Sequence, residues 1–106
     1  EPFVSPEQIL HCTRFYSLDS EFCKGMLADC FFDCDAPDGS VVRIDTNSIA
    51  YLSVETQTLK MKDKLFITYT NGASGVFYNR DTVFDVMCLD GTCQKIALHR
   101  VRHIVF

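Results

Sequence analysis

Hydrophobic patterning divides the chain into two textures. From residue 41 onwards, apolar, β-branched and aromatic residues come in short runs bounded by turn residues: VVRID (41–45), IAYLSVET (49–56), TLKM (58–61), LFITYT (65–70), GVFYN (75–79), VFDVMCL (83–89) and TCQKIALHRVRHIVF (92–106). Runs of this length and composition predict six or seven strands. In the last run Ile96 and Leu98 share a face while Val101 and Val105 fall on the opposite phase, which predicts a bulge near His99-Arg100.

The first forty residues carry helical punctuation instead. Ser5-Pro6-Glu7-Gln8 is a capping box with Pro at the first helical position, and Ile9, Leu10, Cys12 and Tyr16 follow, predicting a helix over about 6–16. After Ser17-Leu18-Asp19, Phe22, Met26 and Cys30 form one row and Cys23, Leu27 and Phe31 the next, an amphipathic stripe that predicts a second helix. Gly25 weakens that helix by up to ~1 kcal/mol. Ala36-Pro37-Asp38-Gly39 reads as the turn into the strands. The expected fold is therefore α+β: a small antiparallel β-sandwich or barrel of six or seven strands with an N-terminal disulfide-linked helical hairpin on one side or end.

Composition adds a compartment to this picture. The 106 residues suit a single domain, helical and Cys-rich over 1–40 and β-rich over 41–106. The net charge of −4 is unevenly spread: residues 1–40 hold eight acids and two bases, residues 41–106 six acids and eight bases. Six cysteines, Cys12, Cys23, Cys30, Cys34, Cys88 and Cys93, make an even, high count that reads as three disulfides in an oxidising compartment. In CLDGTC (88–93), Asp90-Gly91 read as a two-residue type I′ turn sets Cys88 opposite Cys93 with Cα atoms ~4.5 Å apart, a stapled hairpin. A thioredoxin-like site wants two intervening residues, and a zinc site wants a second matching pair. Helices folded back near residue 18 bring Cys12 beside Cys23. Cys12–Cys23 with Cys30–Cys34, the crossed Cys12–Cys30 with Cys23–Cys34, and bridges to the hairpin all remain open. The start EPFVSPEQ resembles the mature end left by signal removal, and no apolar run approaches 18 residues, so the expectation is a secreted chain without a membrane span.

Candidate chemistry is sparse. His99 and His103 with Arg100 and Arg102, and His11 or Glu55 as partner, evoke a small extracellular ribonuclease. Four residues along a strand span about 13 Å, too far for two histidines to serve one phosphate unless a bulge folds them together. The plainer reading is a solvent-facing basic edge strand, which resists aggregation. Because such a strand on an acidic protein creates a local field, Lys95, His99, Arg100, Arg102 and His103 are the expected contact surface. DCDAPDG (33–39) matches a calcium loop at Asp33 and Asp35 only, with Pro37 and Asp38 in the next ligand and glycine places and Ile44 where Glu belongs. No nucleophile elbow, phosphate-binding loop or metalloprotease motif occurs. The acidic balance, with Lys60, Lys62 and Lys64 interrupted by Met61 and Asp63, argues against nucleic acid. Tyr51, Phe66, Tyr69, Phe77 and Tyr78 supply aromatic area for an interface, most of it expected in the core.

The length, the six-cysteine spacing, the β-rich half and the lack of enzymatic motifs resemble the small cysteine-rich effectors secreted by plant-pathogenic fungi. Among these, the ToxB-like six-stranded sandwiches resemble the strand count, while the acidic four-cysteine front departs from them; killer-toxin-like sandwiches and ribonuclease-like folds without catalytic residues stay open. The resemblance implies a virulence protein or toxin that binds a host protein or immune receptor, outside or after translocation into host cells; the chain is expected to be a monomer without catalysis or cofactor. An extracellular inhibitor or ligand module differs from this only in its partner.

Overall fold

Side chains alternate with period two along nearly every element of the computed structural model, which describes residues 12–57 and 62–106. The strands are β1 (Thr13–Ser17), β2 (Ser20–Leu27), β3 (Phe31–Asp35), β4 (Val41–Asp45), β5 (Ile49–Glu55), β6 (Lys64–Tyr69), β7 (Ser74–Asn79), β8 (Val83–Cys88), β9 (Cys93–Ala97) and β10 (His103–Val105). In β8, Phe84, Val86 and Cys88 point inward while Val83 and Met87 face solvent; in β6, Leu65 and Ile67 are inside and Phe66 outside. That alternation is what a sheet with one wet face requires. All ten strands join one antiparallel sheet in the order β4-β3-β7-β6-β5-β10-β1-β2-β8-β9.

The helical hairpin is thereby overturned, and with it the α+β class. The only helical segments among the described residues are two three-residue 3-10 turns, Thr46–Ser48 and Leu98–Arg100. The proposed helix over 6–16 lies outside the described residues up to His11, and its remainder enters β1. The stripe of Phe22, Met26 and Cys30 belongs to β2 and the link after it. Cys23 and Gly25 are buried, whereas Phe22 and Phe31 are about half exposed. An apolar outer face filled the phase that a half-buried strand leaves polar, and so produced an apparent 3.6 period. Ser17-Leu18-Asp19 is a hairpin turn, with Leu18 at φ 57° and Ser17 opposite Ser20.

The later strands fall close to their expected places, except that TLKM (58–61) lies outside the described residues. The final run splits into two strands. Its change of phase at His99-Arg100 is a 3-10 turn instead of a bulge, and Leu98 and Val101 on either side are both buried. A bulge does occur between Ile49 and Tyr51, where β5 shifts register against β6 so that both Ile49 and Leu52 reach the interior.

Three hairpins share one turn. In each, a glycine at φ 89° (Gly39, Gly72 or Gly91) donates to the carbonyl three residues back, and the preceding Asp38, Asn71 or Asp90 carboxylate or amide oxygen accepts from the backbone N–H two residues on. This is a three-residue loop, a type I turn closed by a left-handed glycine, and not the two-residue loop expected at Asp90-Gly91. The extra residue sets Met87, not Cys88, opposite Cys93. A one-residue slip reverses every facing, so Cys88 is buried, Cys93 is exposed, and the expected cross-hairpin staple is geometrically overturned.

The sheet curls around its own inner face. Phe32 of β3 meets Phe84 of β8 edge-on with ring centroids 5.3 Å apart, and Phe15 of β1 lies 6.4 Å from Phe84. Leu52, Leu65, Ile67, Leu98 and Ile104 are fully buried in the same core, as are Val86, Val101 and Cys34. Hydrogen bonds between the link after β2 and β8, Ala28 N–H to the Asp85 carbonyl and Asp85 N–H to the Asp29 carboxylate (both 2.9 Å), extend the β2–β8 pairing beyond Leu27–Val86.

Candidate binding face

Register dictates which residues meet on the outside of the sheet. One row crosses five strands: Tyr16 (β1), His103 (β10), Ser53 (β5), Phe66 (β6) and Val76 (β7). The neighbouring row runs Lys24, Arg14, Val105, Tyr51, Thr68 and Ser74. Tyr51, Phe66 and Val76 keep more than a third of their surface exposed. The His103 ring lies between two tyrosines, 5.0 Å from Tyr16 and 5.8 Å from Tyr51, the latter stacked. Lys64 covers Phe66 at 5.4 Å, a cation–π contact. Arg14, Lys24 and Lys64 on this face and Arg102 at its rim stand against Glu21, 3.9 Å from Arg14, and Glu55, opposite Lys64. The face is thus basic and aromatic on a chain whose net charge is −4.

The five expected contact residues are separated by this geometry. Lys95 lies on β9, an edge strand, 3.0 Å from Asp85, whose carboxylate raises its pKa. His99 and Arg100 are exposed on the 3-10 turn that carries the chain from β9 to β10. Arg102 is exposed just before β10, and only His103 joins the aromatic row. β10 is no edge: it is hydrogen-bonded on both sides, to β5 and β1. Of the five aromatics considered for an interface, Tyr51 and Phe66 face out, Tyr69 and Phe77 pack against the core, and Tyr78 lines a depression beside Asp35. Tyr16 and Val76 escaped sequence reasoning. The available signal was strand alternation, which puts Tyr16 opposite in phase to Phe15 and Val76 to Phe77.

A second polar constellation occupies the start of the β3–β4 hairpin. Asp35 is buried, with its carboxylate held by Lys62 and by Arg80 at 2.8 Å. These two cations hold its pKa below the usual carboxylate range, and Asp35 in turn raises that of Arg80. They edge an open depression of about 440 Å³ with Tyr78 and Pro37. The supposed calcium ligands are engaged elsewhere: Asp33 takes Arg43 at 3.2 Å, and Asp38 accepts from Ser40. Among the described residues no group of three His, Cys, Asp or Glu is placed to hold a metal. A separate cleft of about 340 Å³ is lined by Thr13, Asp29, Cys30, Thr46 and Phe106 among others.

The thiols divide by exposure. Cys30 and Cys93 are exposed, whereas Cys23, Cys34 and Cys88 are buried, as is Cys12 at the head of β1. Burial pushes Cys23 and Cys34 up to about 11, with Cys88 adding to the first and Asp35 and Asp33 to the second. No helix among the described residues is long and apolar enough to cross a membrane. No family model, curated protein or solved structure matches the chain. The class that fold and face define is structural: a curled antiparallel β domain, with ten strands among the described residues and an aromatic, basic outer face.

Proposed function

We propose that this chain is a non-enzymatic binding domain whose outer face across β7-β6-β5-β10-β1 docks an acidic segment of a partner protein. The observation that carries this reading is the continuous row Tyr16-His103-Ser53-Phe66-Val76 with Tyr51 beside it. Exposed aromatics aligned by register form a rigid, low-entropy contact area. The surrounding Arg14, Lys24, Lys64 and Arg102 outnumber Glu21 and Glu55, which favours a partner of opposite sign and speeds its encounter. The setting that goes with the resemblance is a secreted virulence effector or toxin whose partner is a host protein or immune receptor.

The test is quantitative capture of host-extract proteins on wild-type chain, with each retained partner then titrated against purified variants. Tyr51→Glu with Phe66→Glu is expected to weaken a true partner at least ~10-fold, since loss of a central aromatic contact costs upwards of 1 kcal/mol and the new charges repel an acidic surface. Val83→Glu, an exposed apolar position on β8 outside the face, is expected to leave binding unchanged. A partner indifferent to the double substitution but lost on changing Lys95 or Arg100 would move the contact to the β9 edge and reject this face.

A further inference from the structure

Cys23 and Cys88 are 65 residues apart in sequence, yet their sulfurs lie 3.8 Å from each other in the core. They reach each other because β2 and β8 are antiparallel neighbours with Gly25 opposite Cys88. Cys23, two residues along the same inward face, is then the diagonal neighbour across the seam. The seam itself is short. Its register comprises three pairs, Gly25–Cys88, Met26–Met87 and Leu27–Val86, and these attach the β8–β9 hairpin to the rest of the sheet. Gly25 allows the unusually close approach, since a Cβ there would sit 2.3 Å from the Met87 carbonyl oxygen.

We propose that Cys23 and Cys88 are a dithiol that closes to an intrachain disulfide by exchange with a low-molecular-weight disulfide, tying β2 to β8. Contraction from 3.8 Å to the ~2.0 Å of a disulfide asks for rotation of the two side chains, not for a new strand pairing. Cys88 is the entry point, being marginally the more exposed of the two at 9% against 7%. Its thiolate attacks one sulfur of the reagent disulfide, that S–S bond breaks, and the departing thiolate takes up the proton Cys88 released. The Cys23 thiolate then attacks the Cys88 sulfur of the mixed disulfide and expels the second reagent thiolate, which takes the Cys23 proton. The protein loses two hydrogens in all, and one reagent disulfide is reduced to two thiols. Cys93 faces the opposite side of the sheet and Cys34 directs its thiol to the Val42 carbonyl, so neither competes for Cys88.

The experiment equilibrates the folded, reduced chain with oxidised and reduced glutathione in graded ratios, alkylates the remaining thiols, and maps the digested protein by mass. The expected result is a cross-linked peptide joining the segments of Cys23 and Cys88, formed in parallel with the loss of both from the alkylated pool. A rise in Tm on the order of 10 °C should accompany it, and Cys23→Ala and Cys88→Ala should each abolish that rise. Full alkylation of both residues after denaturation, even from the most oxidised mixture, overturns the proposal. So does a cross-link that joins Cys88 to any other cysteine. The wild-type map decides the matter whether or not the variants fold.

Discussion

Position on the sheet sets how each thiol behaves. Cys23 and Cys34 lie on the inner face, where burial disfavours the thiolate and holds both at about 11, above the ~8.5 of an unfolded cysteine. In this window the folded state keeps protons that the unfolded chain has shed. The stability from neutral burial is therefore complete below about pH 8.5 and is lost as pH rises through the folded values. Tyr69, raised by its own burial, adds in the same sense. Urea midpoints of the fully reduced protein should hold between pH 7 and 8.5 and fall steadily towards pH 10.5, and a midpoint that is flat or rising there would refute this account. Alkylation at pH 8 should label Cys30 and Cys93 roughly two orders of magnitude faster than Cys23 or Cys34. Gly25 offers a sharper probe of packing at the same scale. In Gly25→Ala the obstacle is the Met87 backbone as well as a Val86 methyl, so no rotamer relieves it and the cost should be about 1–3 kcal/mol by chemical denaturation. A neutral result would mean that β2 and β8 are not so closely paired.

The three glycine-closed turns act as one element used three times, and each determines which way a pair of strands faces. Gly39 and Gly72 have open space where a Cβ would stand, so substitution there meets only the backbone penalty of a left-handed residue. Gly39→Ala and Gly72→Ala should therefore each cost about 1–2 kcal/mol, agree within ~0.5 kcal/mol, and add in the double variant. Unequal or coupled values would show that one turn has contacts beyond its own geometry. The same element explains what was legible in the sequence. β4 to β8 could be placed because apolar runs were bounded by turn residues, with Pro37-Asp38-Gly39 and Asp90-Gly91 the clearest. Turn type was not legible, since Asp-Gly serves both two- and three-residue loops, and that single residue moved Cys93 outside. β1 to β3 were missed for a different reason. Phe22, Met26 and Phe31 lie on the outward phase and obscured alternation, and the first turn places Leu18 at positive φ with no glycine to announce it. The candidate face was half legible: Arg102 and His103 were singled out for charge, but their aromatic neighbours arrive from three other strands, and only register brings them together.

At the scale of the whole molecule, the first and last of the described strands meet at the middle of the sheet. β10 lies between β5 and β1, and three register pairs join it to each. Without it the sheet divides into β4-β3-β7-β6-β5 and β1-β2-β8-β9, and Leu98, Val101 and Ile104 leave the core. Neither half closes a core alone, because the Phe32–Phe84 contact spans the two. A chain ending at Ala97 should therefore lose its cooperative thermal transition, followed by near-ultraviolet circular dichroism, instead of melting at a lower temperature. A retained sigmoidal transition would show that the first nine strands fold without the last. The same topology makes refolding slow, since the central ladders wait for the final residues and such non-local pairing belongs to the millisecond-to-second regime. It also joins stability to the proposed function. His103 sits on β10 between Tyr16 and the rest of the aromatic row, so the row is continuous only when the last strand has inserted, and a partner that needs the whole row binds the completed fold and not its precursors. Refolding monitored by partner binding should accordingly lag behind formation of the β5–β6–β7 ladders and coincide with the burial of Ile104 behind the same strand.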